Sequence, residues 1–452
     1  MDIIKYYKKD NKEDDSKILK KQDHLVRKMI QETALGFILL ELTGGITYIV
    51  DGFMISRFLG DAAFAASGMT GLCYSVVAIF AGVISTGVAS ICSKEMSQGN
   101  MAGANKAFSL AINLILFSMM ILLTVGVAFA DPIATILGAP LTAPTLHHYV
   151  KVYIQGFFLG APAQAMLAVL IPQIQLDGGS ARIKRSVILL SITDIVGDFV
   201  NVFVIDGGMF GMALATTISY YVAVIVLLGH FKSDKAIFLF SIKLIDFSYI
   251  KQMFKVGLPL ATKRIGNILR PIVLNRVILA TGGAYAMSAY TTQLNFRTFP
   301  DSLGMGFGAA IYLITAMFVG EKDKTSTKQT FLSSVHYILV FILPIAIIYY
   351  IMSPFIARIY NDPGTDFFTL SVFALRMHAV SLPFLAFNEI FNNYIQALEK
   401  IKMAHLLTFL SRFVYICLTT IILSHFFGIN GLFIALPVSE IALVITIVVI
   451  TY

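Results

Sequence analysis

Residues 46–61 read ITYIVDGFMISRFLGD, in which one acid, Asp51, interrupts an apolar run that starts near Thr33. The run is long enough to cross a bilayer as a helix, which takes about 20 apolar residues. A carboxylate at the bilayer centre costs roughly 2.5 to 3.5 kcal/mol on insertion scales, so such acids face a protein interior or a watery cavity. We therefore interpret the run as a membrane-spanning helix in which Asp51 has a functional role.

The rest of the chain has the same apolar character. Of its 452 residues, 57% are hydrophobic and only 13% are charged, and the mean hydropathy is +0.80. Twelve segments are long and apolar enough to span, which predicts an all-α polytopic membrane protein with twelve transmembrane helices. They begin near Thr33, Ala62, Ala107, Tyr149, Ser186, Gly208, Ile250, Ala284, Thr330, Phe367, Ala404 and Gly431.

The second half of the sequence repeats the first. One register of alignment pairs Gly87 with Gly308, Pro162 with Pro383 and Gln175 with Gln396. Six spans per repeat is an even number, so both halves enter the membrane in the same orientation, and we predict two six-helix bundles related by a pseudo-twofold axis along the membrane normal. The predicted parts are a cytoplasmic tail (1–30), an N-lobe (31–230), a cytoplasmic linker (231–249) and a C-lobe (250–452).

The basic residues predict orientation rather than a nucleic-acid partner. The net charge is +8, but Lys and Arg concentrate in the N-terminal tail and in the loops after even-numbered spans, such as Arg182 to Arg185. This is the positive-inside pattern, so we expect both termini in the cytoplasm and a bacterial inner-membrane location. The short loops leave no room for a soluble catalytic domain, and we expect a monomer in the lipid bilayer that is not an enzyme.

The acids of the predicted N-lobe form a candidate coupling site for a cation. Asp194, Asp198 and Asn201 share one helix stripe in the fifth span, and Tyr48 lies one turn from Asp51. Burial and like-charge neighbours disfavour ionised carboxylates, so these acids are suited to bind and release a proton. Their oxygens are equally suited to sodium, with Asp51 and Asp198 as ligands, and the sequence leaves both ions open. It also leaves open that Asp194 or Asp198 is simply solvated near the outer membrane face.

Four stretches together resemble the multidrug and toxic compound extrusion (MATE) family. They are VDGFMISRFLGDAAFAASG (50–68), LDGGSARIK (176–184), DIVGDFVNVFVIDGGMFGMALATTIS (194–219) and NRVILATGGAYAMSAY (275–290).

The resemblance covers nearly the whole chain after the tail. It implies two six-helix lobes, a cleft between them and drug export driven by proton or sodium entry, with no other cofactor. It also implies that Asp51 and Asp198 match the family's cation-site acids, and that substrates are small drug-like molecules.

The seventh span departs from the family pattern, and substrate charge stays open as a result. Some members carry an acid where this chain has Asn267, which shares a stripe with Lys263 and Arg270. On a cavity wall these cations would favour anionic or zwitterionic substrates. Alternatively, Lys263 reaches the cytoplasmic surface and Arg270 pairs with Glu389 or another acid. Further candidates for the substrate cavity are Glu41 and Glu389.

Two other functions compete with drug export. A lipid-linked or anionic-substrate flippase of the same superfamily would use basic residues in the cleft. An intramembrane prenyltransferase would use Asp194 and Asp198 to hold magnesium diphosphate, but it needs a second Asp-rich motif, and Asp51 is isolated. The chain has no G-x-x-x-x-G-K-[ST] loop, so ATP is not the expected energy source.

Overall fold

The computed structural model describes residues 45 and 47–451, apart from 234–235, 241–243 and 321, together with residues 27, 30, 31 and 34. Throughout these residues the chain is helical or irregular, without strands. Nine helices in the described part are long and apolar enough to cross a membrane. Two of them contain a sharp break and so hold two spans each, and the first apolar run lies largely outside the described residues. The structure is thus the predicted all-α, twelve-span fold, and we number the spans 1 to 12 in chain order.

The spans of the first half are helices joined by short turns. Span 1 is helical over residues 47–54 and ends in a π-helical turn, and a short helix, Ala130–Ile136, lies between spans 3 and 4. The bounds are Ile55–Leu59 (π-turn of span 1), Asp61–Met69 with Gly71–Ser97 (span 2), Met101–Ala128 (span 3), Pro144–Leu176 (span 4), Ser180–Val200 with the π-turn Asn201–Ile205 (span 5), and Gly208–Leu228 followed by the 3-10 turn Gly229–Lys232 (span 6).

In the second half, two glycines mark turns inside apparently continuous helices. Gly283 (φ 61°) separates spans 7 and 8, and Gly428 (φ 58°) separates spans 11 and 12. Positive φ is cheap for glycine and strained for other residues, which explains why the chain reverses there. The bounds are Tyr249–Gly320 (spans 7 and 8), Lys324–Tyr337, Ile338–Ile342 and Leu343–Tyr360 (span 9), Asp366–Ala397 (span 10), and Ile401–Phe409, Leu410–Tyr415 and Ile416–Thr451 (spans 11 and 12).

The described chain divides into two compact units. The first unit comprises residues 47–292 and 359–370, and the second comprises 293–358, 371–452 and the described residues before 47. The lobes and linker expected from the sequence stay a prediction.

Span 4 is the central helix of the first unit. It packs against spans 2, 3 and 6 and is buried over most of its length. Gly156 and Gly160 let span 6 approach closely: a Cβ at Gly156 would lie 2.7 Å from the Cβ of Ala213, and one at Gly160 would lie 2.5 Å from Oγ1 of Thr217. Small residues spaced four apart are a common means of close helix packing in membranes. This frame holds spans 1 and 5, which carry the acids.

Candidate functional site

The structure brings the three acids of the first unit together. Asp51 comes from span 1, and Asp194 and Asp198 come from adjacent turns of span 5. Asp194 is 2% exposed and Asp198 is fully buried. The carboxyl group of Asp51 lies within interaction range of both and close enough to that of Asp198 for a hydrogen bond. In this structure Asp194 and Asp198 are therefore buried rather than solvated, and Asp51 is partly buried.

These carboxyl groups receive few hydrogen bonds. Within the described part of the chain, Oδ1 of Asp51, Oδ1 of Asp194 and both carboxyl oxygens of Asp198 are buried without a donor. Ionised carboxylates have no proton to donate, so Asp51 and Asp198 cannot satisfy each other unless one is protonated. Burying such groups costs several kcal/mol per uncompensated charge. A bound proton or other cation would remove that cost.

Tyrosines from the neighbouring spans surround the acids. Tyr153 and Tyr220 lie close enough to Asp51 to feel its charge, and the hydroxyls of Tyr74 and Tyr153 lie 3.2 Å apart. Tyr48, predicted as part of the site, is near the same group and is 38% exposed. Sequence reasoning missed Tyr74, Tyr153 and Tyr220, because a tyrosine in an apolar span is equally typical of lipid-facing surface.

Hydroxyl groups join the acid-bearing spans to their neighbours. Thr47 Oγ1 of span 1 donates to Ser191 Oγ of span 5 at 3.5 Å. Thr216 and Ser219 of span 6 lie within hydrogen-bonding reach of Asp194. The site thus has both acceptors and donors.

Asn201, the third residue of the predicted stripe, serves the turn between spans 5 and 6. Its Nδ2 donates to the carbonyl of Gly208 at 3.1 Å, and its Oδ1 accepts from the Gly207 N–H at 3.1 Å. A Cβ at Gly211 would lie 1.7 Å from that same Oδ1, so glycine makes room for the amide. Both polar atoms of Asn201 are therefore engaged in the turn rather than directed at the acids.

The other predicted residues are spread over the chain. Glu41 lies outside the described residues, and the side chains of Lys263 and Asn267 are likewise not described, although their backbone belongs to span 7. Arg270 is partly buried. Glu389 forms an ion pair with Arg412 on the wall of a polar cavity of about 70 Å³ in the second unit.

No metal cluster stands out among the described residues. In that part of the chain, no three or more His, Cys, Asp and Glu side chains are grouped so that they could hold a metal ion. A sodium site at Asp51 and Asp198 would therefore need hydroxyl, amide or backbone oxygens as further ligands.

A second buried charge network lies in the second unit. Asp301 accepts from Arg297 Nε at 2.9 Å, one helical turn away. His378 Nε2 lies 2.9 Å from the other oxygen of Asp301, and Tyr349 packs edge-on against the His378 ring. The sequence contained no signal for His378, because it lies on another span.

Comparison with known proteins gives consistent matches over the full chain. The sequence model of the MatE family matches residues 45–203 and 259–421, one segment in each half. The multidrug export protein MepA of Staphylococcus haemolyticus is 24% identical over 427 residues, which cover 91% of each chain. MepA of Staphylococcus aureus is 25% identical over 327 residues, which cover 71% of this chain and 70% of the relative.

Solved structures share the fold. An inward-facing multidrug resistance MATE family transporter of the MOP superfamily superposes with a TM-score of 0.79 at 18% identity, covering 89% of this chain and 92% of that chain. The Vibrio cholerae MATE transporter VcmN in its bent form superposes with a TM-score of 0.67 at 19% identity, covering 95% of this chain and 97% of that chain.

Proposed function

We propose that this chain, which belongs to the MATE family of multidrug efflux transporters, exports small organic molecules in exchange for an inward-moving proton. The observation that carries the proposal is the group formed by the partly buried Asp51 and the buried Asp194 and Asp198, whose buried oxygens include four that receive no hydrogen bond in the described residues. Such a group binds a cation more favourably than an apolar core would. Release of the cation becomes favourable only when water or another partner reaches the carboxylates.

We favour the proton over sodium because of the contact between Asp51 and Asp198. Two carboxyl groups within hydrogen-bonding distance share one proton readily. Sodium would draw on several more oxygen ligands. The neighbouring hydroxyls of Tyr74 and Tyr153 supply a polar path toward the pair without adding a competing charge.

Spans 1 and 5 are suited to move when the acids change charge. Each span ends in a π-helical turn shortly after its acid, at Ile55–Leu59 and Asn201–Ile205. The two turns pack through Phe58 and Phe203, whose ring centroids are 4.9 Å apart. A π-helical turn has i→i+5 hydrogen bonds in place of i→i+4 bonds, and it rearranges more easily than a regular α-helix. Protonation at the acids would thereby change the packing of both spans and support alternating access of the substrate to the two sides of the membrane.

The energy supplied by one proton is sufficient for the proposed export. Moving one charge across 100 mV is worth about 2.3 kcal/mol, so a single coupled proton supports a substrate gradient of tens-fold or more. From the distribution of Lys and Arg we propose a cytoplasmic-membrane location with both termini inside.

The test is transport by the purified chain in proteoliposomes, with cationic, neutral and anionic dyes under separately imposed proton and sodium gradients. We expect export of at least one dye class that follows the proton gradient, and we expect Asp198→Asn to abolish it. Asp206→Asn is the matched control, since Asp206 is exposed in the turn after span 5 and should transport at the native rate. Export at native rates by the Asp198 variant, or export driven only by sodium, would contradict the proposal.

A further inference from the structure

A basic cavity lies at the opposite end of span 5 from its π-turn. It has a volume of about 440 Å³ and is bounded by the loop after span 4, the first turn of span 5 and the 3-10 turn after span 6. Arg182, Arg185 and Lys232 line it. The transport mechanism proposed above uses none of these residues.

One acid, Asp177, lies at this cavity and bonds to the backbone and to His230. Asp177 has a fully buried side chain, and its Oδ2 accepts from the N–H of Ile237 at 3.0 Å and of Phe238 at 3.4 Å. His230 Nε2 lies 3.2 Å from the same oxygen. One oxygen of Asp177 is thus held by backbone and imidazole, and its other oxygen, Oδ1, is buried without a hydrogen-bond partner among the described residues, so Asp177 forms no ion pair with the three basic side chains.

The basic side chains are available to a ligand. Among the described residues, Arg182, Arg185 and Lys232 form no ion pair or side-chain hydrogen bond, while Asp234, which follows in the chain, lies outside those residues. In addition, span 5 begins after Gly179, which provides no side-chain cap. Helix N-termini and guanidinium groups both favour phosphate oxygens.

An apolar stripe continues from this cavity along span 5. Leu189, Ile192, Val196 and Phe199 follow Arg185 at helical spacing and are 40%, 52%, 54% and 47% exposed. A molecule with a phosphate at one end and a hydrocarbon chain at the other would bind the basic cavity with its phosphate and the apolar stripe with its chain.

We propose that this cavity binds the phosphate headgroup of an anionic phospholipid, with an acyl chain along the exposed stripe of span 5. Arg182 and Arg185 lie at the start of span 5, next to the loop after span 4, where the positive-inside pattern predicts the cytoplasmic side. The cytoplasmic leaflet is also where anionic lipids attract basic residues next to the membrane. The bound lipid would stabilise the junction between the loop after span 4 and the end of span 6.

Thermal unfolding of the delipidated, detergent-purified full chain tests this. We expect added phosphatidylglycerol to raise the Tm more than phosphatidylcholine does, and glycerophosphoglycerol, which has the same headgroup without acyl chains, to raise it little. The combined variant Arg182→Gln, Arg185→Gln, Lys232→Gln should lose the difference between the two lipids. The control Lys322→Gln, Lys324→Gln, Lys328→Gln removes the same charge from exposed positions elsewhere and should keep it.

A further variant and a direct measurement guard against misfolding of the cavity variant. Arg182→Lys with Arg185→Lys keeps the charge and should retain most of the selective Tm shift, and native mass spectrometry should show phosphatidylglycerol retained by the native chain and lost by the Gln variant. Equal stabilisation by both lipids, or an undiminished shift in the Gln variant, would overturn the proposal. An equal shift with inorganic phosphate or glycerophosphoglycerol would also overturn it, because it would identify a site for a soluble phosphate.

Discussion

Asp51, Asp194 and Asp198 are costly to bury, and this cost explains how they can work. A protonated carboxyl group carries no charge, so taking up a proton removes most of the free energy lost on burial. The low-dielectric surroundings strengthen the interaction of each acid with the next one. Proton binding at one acid would therefore change the free energy of proton binding at the others.

Tyr153 provides a test of the hydroxyls next to these acids. Tyr153→Phe removes a hydroxyl that bonds to Tyr74, so we expect transport to fall by roughly threefold to tenfold, matching the about 0.5–1.5 kcal/mol of a typical hydrogen bond. Initial rates in proteoliposomes at equal protein content measure it. Tyr285→Phe, a partly buried tyrosine packed against Phe367, should transport at the native rate. Equal rates for both variants would show that the Tyr153 hydroxyl takes no part.

Asp301 should matter for stability because Arg297 and His378 both contact its carboxylate. Asp301→Asn removes the carboxylate that contacts both Arg297 and His378, and removing one partner of a buried pair costs about 3–5 kcal/mol. We expect a clear drop in the Tm of the detergent-purified protein. Asp131→Asn is the matched control: this acid also contacts one basic residue and one histidine, Lys151 and His147, but it is exposed, so the Tm should change little. If the two variants unfold at the same temperature, the buried network contributes nothing to stability.

At the scale of helices, glycines decide which spans can touch. Span 2 and span 7 approach so closely that a Cβ at Gly87 would lie 2.4 Å from the Met253 carbonyl oxygen, and one at Gly257 would lie 2.0 Å from that of Val83. Both obstacles are backbone atoms, so a change of side-chain rotamer cannot relieve them. The sequence repeat includes Gly87, and the structure supplies the reason for glycine at both positions.

Gly257→Ala should push these two helices apart. Overpacking of a tight contact costs typically about 1–3 kcal/mol, so the Tm in detergent should fall. Gly71→Ala is the matched control: it adds the same methyl group to span 2, where no atom lies within 4 Å, and alanine is the better helix former. A Gly257 variant as stable as the Gly71 variant would mean that the close approach is not needed.

On the scale of the whole molecule, distant parts of the chain meet at the predicted outer face. Arg57, after span 1, pairs with Asp362, after span 9, with Nη1 and Oδ1 2.5 Å apart, and its Nε donates to the carbonyl of Ile359 at 3.0 Å. Nearby, the Tyr360 hydroxyl donates to the carbonyl of Ile49 at 3.0 Å. These bonds connect the two halves of the sequence within the first unit.

Reversing one charge tests this contact. Arg57→Glu places two acids together, so we expect faster hydrogen exchange at residues 359–362, by roughly fivefold for a pair worth about 1 kcal/mol. The swap of Arg57→Glu with Asp362→Arg should restore the native exchange rate. Exchange that is unchanged by the single reversal would mean that the pair does not hold the two segments together.

Much of the architecture was predictable because hydropathy and glycine position act locally. The spans expected near Gly208, Ile250 and Phe367 begin at Gly208, Tyr249 and Asp366 in the structure. Other helices begin earlier than their apolar cores, since polar caps extend them: Asn100 accepts from the Gly103 N–H at 3.0 Å and so starts span 3 before its apolar run.

The sequence by itself determined the membrane class, the number and order of spans, the repeat and the identity of the unusual acids. These follow from local composition and spacing, because a segment of this kind that crosses lipid must form an apolar helix. Only the tertiary structure decided that Asp51 lies next to Asp198, that tyrosines from other spans lie near them, and that Asn201 belongs to a turn. Such contacts depend on the rotation and packing of helices far apart in the chain, and hydrophobic periodicity does not specify which neighbour each face will meet.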